Sequence, residues 1–273
     1  MGRVAALVTG ASSGIGLQYA RQLAGYGYNL VLVSNQDKEL KETAQEIAAA
    51  NSLNYITEGE FTGEWVTTIY KDLSGQNAAQ EIFDFCNSNN IEVEALINNA
   101  GIFIFNDIAD CSVKRVSLIL NLHMYTVTML CRLFGEKMRE RRKGYILNMS
   151  SLSAHTPFPG ISLYTATKSF IRTMSIAFRL EMKEFGVRVM VVSPGGVATD
   201  LYNLPRNLQK LGVNLRVIYK PDKMVKNALH KLFTTNKKEY VPGVINYLLK
   251  PLYAILPQCL KMWGRKKLQQ FMH

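Results

Sequence analysis

At 273 residues, 48% of them hydrophobic, the chain has the length and apolar content for one large α/β domain with a buried core, and its composition is ordinary for a globular protein. The net charge of +11 is unevenly placed: residues 201–273 hold 14 Lys and Arg against 2 Asp and Glu, whereas residues 1–200 hold 18 against 19. Charge alone admits a nucleic acid, an anionic membrane surface or an acidic substrate such as a phosphorylated thioester, and chooses none of them.

Four cysteines, Cys86, Cys111, Cys131 and Cys259, are widely spaced, with no CxxC pair and no neighbouring His cluster. That spacing argues against a metal centre and suits reduced thiols in a reducing cytoplasm. The first apolar run begins at Arg3, which leaves no room for a charged segment followed by an apolar signal core, so no secretory signal is expected. Met1-Gly2 opens like a myristoylation site, but Ala6 stands where that motif needs Ser or Thr.

Residues 4–9 form an apolar strand, 10–16 a glycine-rich turn, and Leu17, Ala20, Leu23 and Ala24 repeat at helical spacing. A second strand covers 29–34, a helix about 38–50, and a third strand 66–70, ending before Asp72. The alternation continues with a helix around Phe83, a strand at 95–98 and a long helix at about 113–142. A strand at 144–149, a helix at about 163–184 and a strand at 187–192 complete it.

Near-continuous apolar strands separated by helices predict a mostly parallel sheet covered on both faces, a single doubly wound Rossmann-type domain over 1–273. The stretch 51–64 is longer than the usual helix-to-strand connection and reads as a surface excursion.

The turn Thr9-Gly10-Ala11-Ser12-Ser13-Gly14-Ile15-Gly16 lies between a strand and a helix. Glycines there let the backbone approach a pyrophosphate, and the helix aims N–H groups and its positive end at the anion. Its spacing, G-x-x-x-G-x-G, departs from the general G-x-G-x-x-G dinucleotide pattern, and a tight connection alone also demands glycine.

Where the second strand ends, an acid would favour NAD and an Arg NADP. This chain has Ser34, Asn35 and Gln36, with no carboxylate among these three to repel a phosphate and Lys38 close by, so NADP(H) is favoured over NAD(H).

Tyr164 and Lys168 stand at i and i+4 on one helix face. A phenol with a pKa of ~10 is a poor acid/base near neutrality, and a neighbouring ammonium favours its ionised form. A packed Tyr beside a solvated Lys would give the same spacing. Among the four histidines, His155 falls in the loop before Tyr164, where simple packing outweighs substrate contact as its reading.

Five motifs in order give the chain a resemblance to the classical short-chain dehydrogenase/reductase family over residues 3 to about 200. They are the turn from Thr9 to Gly16, Asp72-Leu73, Asn98-Asn99-Ala100-Gly101, Ser151 thirteen residues before Tyr164, and Pro194-Gly195 with Thr199. Asn121 matches the family's fourth catalytic position.

The resemblance implies an NAD(P)-dependent oxidoreductase acting on a carbonyl or secondary alcohol. Tyr164 would be its proton donor, Ser151 a second donor to the oxyanion, Lys168 the support of Tyr164 and of the nicotinamide ribose, and Asn121 the anchor of a water linking Lys168 to solvent. It further implies that Gly10, Ser12, Ser13, Gly14, Ile15 and Gly16 hold the pyrophosphate, with Ser34 and Asn35 at the adenosine ribose and Asp72 and Leu73 at the adenine. Asn98, Ala100 and Gly101 would line the cleft, and Pro194, Gly195, Val197 and Thr199 would hold the nicotinamide end. Ser150 and Ser153 are rivals for the role of Ser151, and Asp72, Asn98 and Pro194-Gly195 have plain turn or capping alternatives.

By the same resemblance a substrate lid is expected over 199–225, and the packing of the long helices implies a homo-dimer or homo-tetramer. The apolar lid, with Phe103, Phe105, Phe158 and Ile161, suggests an apolar substrate body. The apolar, basic tail, with the second strand ending Val33-Ser34-Asn35, is loosely similar to family branches that act on 3-oxoacyl thioesters or hydroxysteroids.

Residues 241–273 form a basic amphipathic extension in which Lys250 and three prolines interrupt the apolar run a spanning helix would need. Peripheral membrane contact of a cytoplasmic protein, subunit packing and a cover over the cleft all account for it. No nucleic-acid motif accompanies the charge. The rival functions are an epimerase or dehydratase using the same Tyr and Lys, and a nucleotide-sensing scaffold.

Overall fold

The computed structural model describes residues 4–198, 218–243, 246 and 257–272. Strand β1 (Ala5–Thr9) is fully buried and is flanked by parallel β2 (Asn29–Ser34) on one side and β5 (Val93–Asn98) on the other. Beyond β2 come β4 (Trp65–Tyr70) and the two-residue β3 (Asn54–Tyr55); beyond β5 come β6 (Gly144–Met149), β7 (Val187–Val192) and the short β10 (Glu239–Tyr240). The eight-stranded order is β10-β7-β6-β5-β1-β2-β4-β3, with parallel pairing throughout. Two further strands, β8 (Gly196–Val197) and β9 (Ile218–Tyr219), pair separately.

Alternation of side chains along each strand builds a core on both faces. Ala6 and Val8 of β1, with Leu30 and Leu32 of β2, meet helices α1 (Gly14–Gly25), α2 (Asp37–Asn51) and α7 (Pro221–Thr234). Ala5, Leu7, Val31 and Val33 point the other way, into α3 (Ala78–Ser88) and α5 (Thr126–Arg141). Each buried Leu or Val contributes about 1.5–3 kcal/mol. A strand buried on both faces has no polar period, which is why residues 5–8, 30–33 and 95–97 read as unbroken apolar runs.

The long helix at 113–142 is not continuous. Helix α4 (Val113–Leu120) passes into a π-helical turn, Asn121–Tyr125, before α5 resumes, and the Thr126 N–H bonds the Asn121 carbonyl. Within Val113–Arg141 an 18-residue window of mean hydropathy 1.3 is apolar enough to cross a membrane, but its apolar side packs into the core through Leu130, Cys131 and Phe134.

The expected excursion at 51–64 contributes β3 to the sheet edge. Helix α7, unassigned in the sequence reading, starts on Pro221 and buries Met224, Val225, Ala228, Leu229 and Leu232. The expected lid lies mostly outside the described residues; its last part is β9 and the start of α7, where Met224 and Val225 are core. The remaining helices are α6 (Ser162–Lys183) and α8 (Gln258–Met272).

Candidate active site

The strand order reverses between β5 and β2 around β1, and a crevice opens there at the carboxyl ends of the strands. It is a cavity of about 540 Å³, within the range of small-molecule sites.

The glycine turn forms one wall. Gly10 and Gly14 have positive φ, 64° and 56°, which L side chains rarely adopt. A Cβ on Gly16 would lie 2.0 Å from the Gly10 carbonyl oxygen. Asn99 locks the turn from the opposite strand end: its amide donates to the Thr9 carbonyl at 3.0 Å and the Gly10 carbonyl at 3.4 Å. Thr9 Oγ1 in turn accepts the N–H groups of Asn99 and Ala100, both at 3.0 Å.

Helix α1 has no side-chain cap at Ser13 and no acid in its first turn. Its first N–H groups therefore suit an anion. A glycine cradle, hydroxyls on Ser12 and Ser13, and an uncapped helix start fit a dinucleotide pyrophosphate.

At the end of β2, Ser12 Oγ lies 2.9 Å from Ser34 Oγ and donates to Gln36 Oε1 at 2.7 Å. Ser34, Asn35, Gln36 and Lys71 all line the cavity. Lys38 does not; it is exposed and lies 4.0 Å from Glu42. Besides Lys168 on the far side, the described cations lining the cavity are Lys71, whose backbone N–H bonds the Ser34 carbonyl, and Arg115. Asp72 also lines the cleft while its carboxylate accepts the Ser74 N–H and hydroxyl at 2.9 and 2.8 Å, a local turn.

On the far wall, Ser150, Ser151, Tyr164 and Lys168 come together. Lys168 is buried, donates to the Met149 carbonyl at 3.0 Å and lies 5.7 Å from the Tyr164 ring centre. Burial lowers its pKa from the usual lysine value to about 8. Tyr164 is buried too, with the Phe103 ring edge-on at 5.1 Å.

The three serines separate by their bonds. Ser150 Oγ donates to the Lys168 carbonyl at 2.7 Å, and Ser153 lies off the cavity wall. Ser151 Oγ accepts the Ser153 N–H at 3.2 Å and hydroxyl at 2.9 Å, which leaves its own proton to be donated into the cleft.

Of the sequence-predicted cofactor residues, Gly10, Ser12, Ser13, Gly14, Ile15, Ser34, Asn35, Asp72, Leu73, Ala100, Gly101, Pro194, Gly195 and Val197 line this cavity. Gly16 sits beneath the turn. Asn98 is buried one layer down, donating to Asn148 Oδ1 at 2.8 Å, and the wall position falls to Asn99. Asn121 heads the π turn and does not line the cavity. Thr199 lies outside the described residues.

Phe105 packs against Gly160, and Phe158 against Gly264 of α8. His155 is drawn away onto Glu239, 3.1 Å from its carboxylate, which also binds Arg172 and the Ser193 hydroxyl. His123, which no sequence motif singles out, is fully buried against Tyr164 and Lys168. Its only sequence signal was its position two residues after Asn121.

A parallel doubly wound sheet with a glycine-lined crevice and a Ser, Tyr and Lys convergence defines the Rossmann-type oxidoreductase class. The short chain dehydrogenase family matches residues 4–208, and the chain belongs to it. The chain is 31% identical over 199 residues to the 17-beta-hydroxysteroid dehydrogenase type 3 of Mus musculus, covering 72% of this chain and 61% of that protein. It is 30% identical over 261 residues to the very-long-chain 3-oxoacyl-CoA reductase of Bos taurus, covering 93% and 76%. The chain thus spans less than two thirds of the length of the first of these relatives. A solved short-chain dehydrogenase from Sphingobium yanoikuyae in complex with NADPH shares the fold, with TM-score 0.75 and 23% identity over 93% of this chain and 97% of that one.

Proposed function

We propose that the chain transfers a hydride between NADP(H) and the carbonyl or secondary alcohol carbon of an apolar substrate. One observation carries this reading: Ser151, Tyr164 and Lys168 converge on the cavity that the glycine turn also lines. A bound nicotinamide cofactor supplies or accepts the hydride.

The turn from Gly10 to Gly16 and the start of α1 hold the pyrophosphate, Ser34 and Asn35 the adenosine ribose, and Asp72 and Leu73 the adenine. Ala100, Gly101, Pro194, Gly195 and Val197 form the nicotinamide end. In the reducing direction the Tyr164 hydroxyl gives its proton to the substrate carbonyl oxygen, and the Ser151 hydroxyl donates a hydrogen bond to the same oxygen. The Lys168 ammonium, fixed on the Met149 carbonyl, stabilises the phenolate left on Tyr164.

Hydroxyls and an amide at the end of β2, with Lys71, which also pairs with Glu81, on the cavity wall, support NADP(H) over NAD(H); Asp37, the carboxylate next along the chain, pairs with Lys41 at 2.8 Å. An apolar substrate is supported by Ile102, Leu118, Leu122 and Met149 on the cavity wall and by relatives named for a hydroxysteroid and a very-long-chain 3-oxoacyl-CoA. For the extension, exposed Leu260, Met262 and Trp263 beside Lys261 and Lys266 on α8 support peripheral contact of a cytoplasmic protein with an anionic membrane. Leu120, Tyr125 and Leu180, exposed on the two long helical segments, support a homo-dimer or homo-tetramer.

The test follows nicotinamide absorbance with NADPH and NADH against long-chain 3-oxoacyl thioesters, ketosteroids and simple ketones. NADPH consumption on an apolar ketone is expected. Failure of both cofactors to bind overturns the reading.

A further inference from the structure

The side chain that ties the crevice together has no part in the proton transfer described above. His123, in the π turn, makes three contacts with two neighbouring elements, the loop after β5 and α6. Its Nε2 accepts the Ile102 N–H at 3.0 Å, in the loop after β5. Its Nδ1 lies 2.9 Å from Thr167 Oγ1 on α6. Its ring meets the Tyr164 ring edge-on, with centroids 5.9 Å apart. Gly101 is squeezed alongside: a Cβ there would lie 3.0 Å from His123 Nε2 and 3.4 Å from Lys168 Nζ.

Donor and acceptor accounting fixes the protonation state. A backbone N–H can only donate, so Nε2 must be a bare lone pair. Thr167 has one proton, and it goes to the Tyr164 carbonyl at 2.9 Å, so Thr167 Oγ1 receives a proton from Nδ1. Both contacts are satisfied only by the neutral imidazole protonated at Nδ1. A cation there would lose the Ile102 bond and repel the Lys168 ammonium; burial and that ammonium both push the His123 pKa down from its ordinary value.

We propose that His123 is a positioning residue: its neutral imidazole clamps the Gly101-Ile102 wall of the cofactor cleft to the second turn of α6, and so sets Tyr164 and Lys168 against the nicotinamide end. This rests on the assignment of Tyr164 and Lys168 to the proton transfer. The clamp exists because the π turn widens the helix at 121–125 and lets a side chain of α4–α5 face both the β5 loop and α6.

The experiment compares wild type with His123→Gln, His123→Phe and Thr167→Val, measuring kcat and NADPH affinity separately, with Tyr164→Phe in the same assay. Misplacement of reacting groups lowers kcat of His123→Phe by about ten- to a hundredfold and weakens NADPH binding. His123→Gln, whose amide can both accept and donate, recovers most of the loss. Should His123→Phe not fold, Thr167→Val carries the same test, since it removes the acceptor for Nδ1–H and keeps the packing. Nitrogen NMR of the wild-type ring near neutral pH should find Nδ1 protonated and Nε2 bare. The clamp is overturned if the Nε2-protonated tautomer or the cation is found, if His123→Phe or Thr167→Val turns over like wild type, or if His123→Gln is as impaired as His123→Phe. If Tyr164→Phe retains full turnover, the proton-transfer reading itself falls, a result separate from any of these.

Discussion

In the proposed reaction Ser151, Tyr164 and Lys168 divide the chemistry among three side chains that differ in bonding, and each division has a measurable consequence. Removing the Ser151 hydroxyl as Ser151→Ala leaves the developing oxyanion short of one donor. A fall of about 10²–10³ in kcat with little change in NADPH affinity is expected from steady-state kinetics and cofactor titration.

Burial holds the Lys168 pKa near about 8, so the ammonium is present below that pH and lost above it. Ketone reduction, which needs the charged form, should therefore decline as pH rises through about 8; a rate independent of pH between 6 and 10 would contradict the role given to Lys168.

The spacing of Ser151, Tyr164 and Lys168 was readable because it repeats helix geometry and a fixed interval. The choice between Asn98 and Asn99 was not. Asn98 and Asn99 are adjacent in sequence, but the strand's alternation buries Asn98 on Asn148 and turns Asn99 onto the glycine turn. His123 escaped notice because an ordinary α-helix would not bring it to Thr167 and Ile102 together.

Among the secondary elements, the turn before α1 has the least tolerance. A Cβ at Gly16 would fall 2.0 Å from the Gly10 carbonyl oxygen, far inside contact. Gly16→Ala must displace the turn, at a cost of about 1–3 kcal/mol, with a lower Tm and weaker NADPH binding in parallel. The edge strand β10 depends on Glu239, buried with Arg172, His155 and Ser193 around its carboxylate. Glu239→Ala leaves Arg172 and His155 without that partner and should destabilise the fold by about 3 kcal/mol in denaturant titration.

The sequence disclosed the long strands and helices because their apolar runs are several residues long. Strands β3 and β10, of two residues each, have no period to read, and the π turn leaves the apolar pattern of its helix almost intact.

Across the whole molecule, the doubly wound order was legible from the alternation of strands and helices alone, since each buried parallel strand must be followed by a covering helix. The basic C-terminal region was legible as charge but not as a location. In the structure α8 lies against both loops beside the crevice, through Gly264 on Phe158 and an ion pair between Arg265 and Asp107. A chain ending before residue 241 should lose salt-sensitive co-sedimentation with anionic vesicles, and equal binding with and without the extension would remove the membrane role.

Single-turnover oxidation of bound NADPH by an apolar ketone, followed by absorbance in wild type and Tyr164→Phe, reads the proposed chemistry most directly. Wild type should oxidise the cofactor, and Tyr164→Phe should bind NADPH with unchanged affinity and react about 10²–10⁴-fold more slowly. Full-rate oxidation by Tyr164→Phe would contradict the account.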